Sequence, residues 1–397
     1  MKKNFFLMAL AAMSLASCSN DEVVEIKQNM ISFDVASDNA SRAETLYDNN
    51  NKPETFIVYA VHTDVDGNKK IYIDGKGVTL SGGKYVFSDG RDRYWPETGT
   101  LTFYAVVPPT HYINDEKEFD QSVVETNHAY FRFDRLNEFA TNLESPRITF
   151  LQTFLDEDVE NGNSSSEMHH DLIYAVKANQ SKPAVSGTKV VLNFRHALSQ
   201  IVFKAQNLKP EVMYVEIDHI WIQSDDMWSF ADFTLPNLST DENVTEANGK
   251  QLLNQGTWTG LGEDDFASSF GGYYYIENLN VSLSDNSIVD ICDSNDEKLL
   301  LIPGTYDKWN GKDDDEDNGG MRFWISCKIY NISDPEKGYQ EGIDALISDG
   351  ETIPLDVEWK QGKKYIYTLK FGGEDPISFD LTVDDYISGT DTPVTVY

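Results

Sequence analysis

Cysteine is scarce in this chain: Cys18, Cys292 and Cys327 are all it has. Cys18 closes Leu15-Ala16-Ser17-Cys18, small residues leading to a thiol. Ahead of it stand a basic start, Met1-Lys2-Lys3, and an apolar run over residues 5–16 that is too short to span a bilayer comfortably as a mature helix. This order matches a lipobox, in which a signal peptidase cuts before the cysteine and the thiol is acylated. It predicts a signal peptide over residues 1–17 and a lipid on Cys18. The second reactive step is the peptide bond of Arg42-Ala43. Arg42 is the only basic residue in a stretch, 36–51, rich in Asp, Asn and Ser. Such a stretch reads as an exposed loop, where proteolysis concentrates. Cys292 and Cys327 lie in apolar, strand-like surroundings; they either pair in an oxidising compartment or stay as buried thiols.

Little else in the chain has the spacing that catalysis needs. The seven histidines show no metal-ligand pattern, and the adjacent His169-His170 point apart in any strand or loop. There is no nucleophile elbow, no phosphate-cradling glycine loop and no His-Glu-x-x-His. Any pair of carboxylates picked for a glycosidase is uninformative in a chain holding 66 acids. The run Asp313-Asp314-Asp315-Glu316-Asp317-Asn318 lacks the spacing of a calcium loop and reads as a solvated acidic segment. Trp228, Trp258, Tyr273, Tyr274, Tyr275 and Trp309 have faces that stack on sugars, although aromatics in a β-rich chain mostly fill cores and turns. The expectation is a protein that is not an enzyme and carries no metal and no cofactor.

The elements that position these residues are strands. At 397 residues the chain exceeds one ordinary domain and suits two. Lys plus Arg is 32 against 66 Asp plus Glu, a formal charge of −34 that repels phosphate backbones and anionic headgroups, so nucleic acid is not a partner. Membrane attachment then falls to the acyl chain on Cys18. Residues 18–28 are polar and acidic, a tether of up to roughly 40 Å when extended. Ile31, Phe33 and Val35 alternate with polar residues over 30–35, the period of a half-buried strand. Dense β-branched and aromatic runs follow at 55–61, 101–107, 171–176 and 190–194, and then at 213–222, 322–329 and 365–371. Gly, Asp and Pro separate them, and no helical periodicity runs for 12 residues or more. Short strands with such turns suggest β-sandwiches, one over residues 29–180 and a second over 181–375. Residues 376–397 stand apart: Ile377, Phe379, Leu381 and Val383 alternate without a fault, behind a turn at Gly372-Gly373.

In this order the landmarks resemble the fimbrillin family, the major and minor pilins and Mfa-like lipoproteins of Bacteroidales type V pili. They are the lipobox at Cys18, the first strand followed by Ser41-Arg42-Ala43, and Tyr94-Trp95-Pro96 leading to the strand at 101–107. Further on come Asp171–Ala175, then Asn193-Phe194-Arg195-His196-Ala197-Leu198-Ser199, and Trp359-Lys360-Gln361-Gly362-Lys363-Lys364-Tyr365. The resemblance implies an all-β fold of two tandem transthyretin-like β-sandwich domains. It implies export through the periplasm as a lipoprotein of the outer membrane and cell surface, and the acidic Ser19-Asn20-Asp21-Glu22 resembles the signal for transfer to the outer face. It also implies cleavage by a trypsin-like surface protease, which carries over to Arg42 and Ala43, with Ser41 where Thr often precedes the arginine.

On this reading the partners are other pilin subunits and a surface ligand in adhesion. A sandwich that loses the strand bearing Ile31, Phe33 and Val35 exposes an unpaired edge and empty core positions. Another subunit's alternating strand fills such a groove by β-augmentation, and Ile377, Phe379, Leu381 and Val383 suit that donor role. The same residues equally read as the last strand of their own domain. A monomeric lipid-anchored binding module for a glycan or host ligand, or a pilus anchor that keeps its lipid, is the alternative reading of the whole chain.

Overall fold

The structure is a computed structural model that describes residues 29–36, 52–107, 111–112, 129–132, 146–151, 171–224, 226–228, 230–241, 243–245, 251–253, 255–260, 272–276, 279–291, 299–311, 320–373 and 377–385. Among these, every regular element is a strand, so the fold is all-β. Cys18, Arg42 and Ala43 lie outside the described residues, as do Cys292 and residues 386–397.

An eight-stranded sheet comes first in the chain. Its order is Val190–Leu192, Phe33–Val35, Lys84–Phe87, Lys69–Ser81, Thr55–Thr63, Thr100–Val107, Ile173–Gln180 and Arg195–His196. The two outermost strands are almost one strand, separated only by Asn193 and Phe194. A single kinked segment therefore ties the two ends of the sheet together and folds it around a core of Phe33, Phe56, Val58, Phe103, Leu192 and Phe194.

A five-stranded sheet (Thr257–Gly260, Phe230–Thr234, Arg147–Leu151, Ala129–Arg132, His111–Tyr112) covers the outer face of this body. Its Ile148, Phe150, Ala231 and Phe233 pack on Tyr59, Val61, Tyr104, Val106 and Tyr174 of the first sheet. The central strands of the first sheet are thus buried on both faces. That is why Thr55–Thr63 and Thr100–Val107 read as nearly unbroken apolar runs rather than alternating ones.

Most of the remaining described strands form a second sandwich. One layer is Ile288–Asp290, Ser199–Asn207, Lys363–Phe371 and Ile377–Asp385, with Leu299–Leu301 also on Ser199–Asn207. The facing layer is Gly272–Ile276, Met213–Ser224, Arg322–Asn331 and Ala345–Pro354, with Val281–Leu283 also on Met213–Ser224. Ile217, Ile220, Phe323, Ile325, Tyr367 and Leu369 fill the space between them.

The expected seam at residue 181 is not where the sheets divide. Val190–Leu192 and Arg195–His196 belong to the first sheet, and Phe230–Thr234 pairs with Arg147–Leu151 from the first half of the chain. The changeover falls at Ala197-Leu198, both fully buried. There Tyr174 Oη accepts hydrogen bonds from Gln361 Nε2 at 2.6 Å and Gly256 N at 3.2 Å, and Gly362 N donates to Leu198 O at 2.9 Å. Two of the sequence landmarks, 193–199 and 359–365, meet at this junction.

Candidate functional site

The first strand occupies an inner position, bonded along both edges. Phe33, Asp34 and Val35 run parallel to Val190, Val191 and Leu192, and Phe33 faces Tyr85 of the antiparallel neighbour. Val190 N donates to Ser32 O, and Ala36 N to Leu192 O, each at 2.8 Å. On the other side Ile31 N donates to Arg93 O at 2.7 Å, and Trp95 N to Asn29 O at 2.8 Å. Met30 also bridges to Tyr94. The landmark Tyr94-Trp95-Pro96 therefore grips the start of the first strand.

The expected inward residues are the ones that go inward: Ile31, Phe33 and Val35 are each no more than 3% exposed. Phe33 enters an aromatic cage, edge to face with Phe103, Phe87 and Phe56 at ring separations of 5.6, 5.9 and 6.0 Å. Trp95 closes the cage behind Phe103 at 5.7 Å. Full burial of three such side chains is worth about 1.5–3 kcal/mol each. Asp34 points the other way, between two lysines: Lys52 Nζ lies 3.1 Å from Oδ1 and Lys189 Nζ 3.0 Å from Oδ2. Partial burial opposes the charge on Asp34. The hydrogen bonds from Lys189, Lys52 and the Val35 amide outweigh it and hold the carboxyl below its ordinary value.

Nothing in this arrangement does covalent chemistry. What it offers is a slot: without the first strand, Val190–Leu192 and Lys84–Phe87 present unpaired backbone to each other, the cage stands open, and Lys52 and Lys189 lose their carboxylate.

The last strand, Ile377–Asp385, pairs in cis along all of Lys363–Phe371, from Phe371↔Ile377 to Lys363↔Asp385, as the outermost strand of its sheet. Ile377 is buried and Phe379 packs edge-on to Tyr367 at 5.6 Å, while Leu381 stays 44% exposed and Val383 half-buried. Its apolar face is only partly used there. Asp380 pairs with Lys370.

Of the aromatics with sugar-stacking faces, Trp258 donates to Ala197 O at 2.8 Å within the core, Tyr274 is buried and Trp309 lies under the Arg322 guanidinium. Trp228 lies against Gly260. Cys327 is a buried thiol of the second core, pushed up to about 12 by burial.

The fimbrillin-like family model matches residues 41–385. The chain belongs to the fimbrillin-like family. No curated protein is significantly similar to it. Among solved structures, a candidate cell adhesion protein of Bacteroides uniformis is 13% identical over 90% of this chain and 99% of its own, with a TM-score of 0.42. One from Bacteroides ovatus is 10% identical over 91% and 98%, with a TM-score of 0.44. The tip fimbrial protein Mfa3 of Porphyromonas gingivalis, truncated at its C-terminus, is 10% identical over 84% and 95%, with a TM-score of 0.32.

One feature of this fimbrillin-like chain joins its two ends. Ile31-Ser32-Phe33-Asp34-Val35 in the slot and Ile377-Ser378-Phe379-Asp380-Leu381 in the last strand agree at four of five positions. The fifth differs by one methylene. Alternation alone marks both segments as strands. Their residue-by-residue agreement gains meaning only once the cage around Phe33 and the lysines around Asp34 are known.

Proposed function

We propose that this chain is a structural subunit of a cell-surface pilus that polymerises by donor-strand exchange, the last strand of one copy replacing the first strand of the next. Export as a lipoprotein acylated on Cys18 brings the precursor to the outer membrane. Cleavage by a trypsin-like protease between Arg42 and Ala43 then frees the first strand.

The observation that carries this reading is the shared pentapeptide. With Ile377 in the place of Ile31, Phe379 meets the aromatic cage, Asp380 meets Lys52 and Lys189, and Leu381 follows Val35 with one extra methylene to accommodate. The energetics favour the move once the slot is empty. Among the described residues the last strand has one bonded neighbour in cis; in the slot it would take the two that the first strand has. Leu381 goes from 44% exposed to buried, which is worth about half the 1.5–3 kcal/mol of burying a fully exposed leucine. The cost is the vacated edge of Lys363–Phe371, the loss of Ile377 and Phe379 from the second core, and about 1–2 kcal/mol per residue newly fixed in the donated segment. Before cleavage the first strand occupies the slot in cis and shuts the exchange off.

The test is an Arg42→Ala strain. It exports the protein but forms no polymer, and the wild-type polymer begins at Ala43 by N-terminal sequencing and intact mass. Normal polymer from Arg42→Ala would sink the cleavage step.

A further inference from the structure

The outer face of the second sandwich carries a feature that neither the slot nor the last strand uses. Ladder register breaks between Ile217 and His219 on one side of Arg322–Asn331, and between Ile325 and Lys328 on the other, where Gly350 adopts φ +103°. Bulges of this kind re-aim side chains and interrupt a flat sheet. Here they open a cleft of about 320 Å³ whose lining includes Glu216, Asp218, Ser282, Ser326, Lys328 and Asp349. Trp324 stands two residues from the lining residue Ser326 on the same outer face, and Trp221 is its cross-strand partner, with ring centroids 4.8 Å apart. His219 lies 6.4 Å from Trp221 and 6.1 Å from Trp324. All three rings are half-buried. The core-facing side of the same strands is already filled by Ile217, Ile220, Ile222, Phe323 and Ile325. These rings therefore sit on a face that an antiparallel sheet ordinarily leaves polar.

We propose that this cleft binds a neutral pyranose of a surface glycan, stacked on the Trp221–Trp324 pair with its hydroxyls in the bulge. Aromatic faces take the apolar C–H side of a sugar ring, and a few convergent polar groups fix its orientation. The lining supplies acceptors from three carboxylates and donors from Lys328, Ser282 and Ser326. Three acids against one lysine, on a chain of charge −34, turn away sialylated or sulfated glycans. The site deepens the adhesion reading by giving it a ligand class, and it is tested on unpolymerised protein so that its failure leaves that reading standing.

The experiment is a glycan array of neutral and N-acetylated oligosaccharides beside their sialylated counterparts, probed with the full chain. Wild type is expected to bind a neutral set. Trp324→Ala should weaken that binding about tenfold or more, and Asp349→Asn should weaken it with the core untouched. Trp228→Ala, an exposed tryptophan elsewhere, should change it less than about twofold. Denaturation curves check that each variant is folded. No neutral binder for folded wild type, preference for sialylated glycans, or equal binding by folded Trp324→Ala would each overturn the proposal.

Discussion

Phe33 and Asp34 are neighbours that hold the first strand by different physics. The Phe33 ring is 2% exposed among three other phenyl rings, so Phe33→Ala leaves a cavity that its neighbours cannot close. The uncleaved chain should lose about 3–5 kcal/mol by chemical denaturation, the usual cost of Phe→Ala in a core. A chain already cleaved after Arg42 and freed of its first strand should not register the substitution at all. Asp34 acts through charge. Its folded carboxyl titrates below the ordinary 3.8, so the stability it lends is complete above that value and is lost as the pH falls through the lower, folded one. Asp34→Asn should therefore lower stability modestly above about pH 4, where the wild-type carboxylate is charged, and converge on the wild type in acid, so that the acid limb flattens; the neutral loss stays small because the pair is partly exposed. Cys327 gives a residue-scale check on the second core. Its buried thiol should resist iodoacetamide at pH 8 in the native protein and react on unfolding, read from the labelled peptide by mass spectrometry.

At the scale of elements, legibility in the sequence followed the number of faces an element buries. The first strand buries one face, so its alternation of Ile31, Phe33 and Val35 was readable, and all three residues line the core as expected. The kinked segment 190–196 was not readable as a closure. Val190–Leu192 and Arg195–His196 look like one strand in the chain, and only the fold shows them pairing at opposite ends of a sheet. Leu299, Leu300, Leu301 and Ile302 likewise give an unbroken apolar run because alternate residues face two different cores. The paired bulges near Trp221 and Trp324 leave no composition signal, so nothing in the sequence sets these tryptophans apart from Trp228, Trp258 and Trp309. The junction makes a prediction of its own. Tyr174→Phe removes the oxygen that accepts from Gln361 and Gly256, leaving a buried amide unpaired, and should cost about 1–3 kcal/mol in a denaturant titration.

At the scale of the whole molecule, the proposed exchange turns on one strand that closes the first sandwich. The first strand is also the one that joins the kinked segment to Lys84–Phe87, so an empty slot is an open sandwich seeking a strand. Charge opposes the encounter: the strongly acidic subunits repel, and assembly of the cleaved protein should speed up as salt rises and shortens the Debye length. The central claim is that Asp380 of one copy takes the place of Asp34 in the next. Zero-length carbodiimide coupling, which joins a carboxylate only to an amine in contact with it, tests this most directly when read by mass spectrometry. The unpolymerised chain should give Asp380–Lys370 and Asp34–Lys189 or Asp34–Lys52 links, matching the pairs in the single subunit. Polymer should instead give Asp380 linked to Lys189 or Lys52 of a different copy. Polymer that still carries Asp34 linked to those lysines, with Asp380 on its own Lys370, would contradict the account.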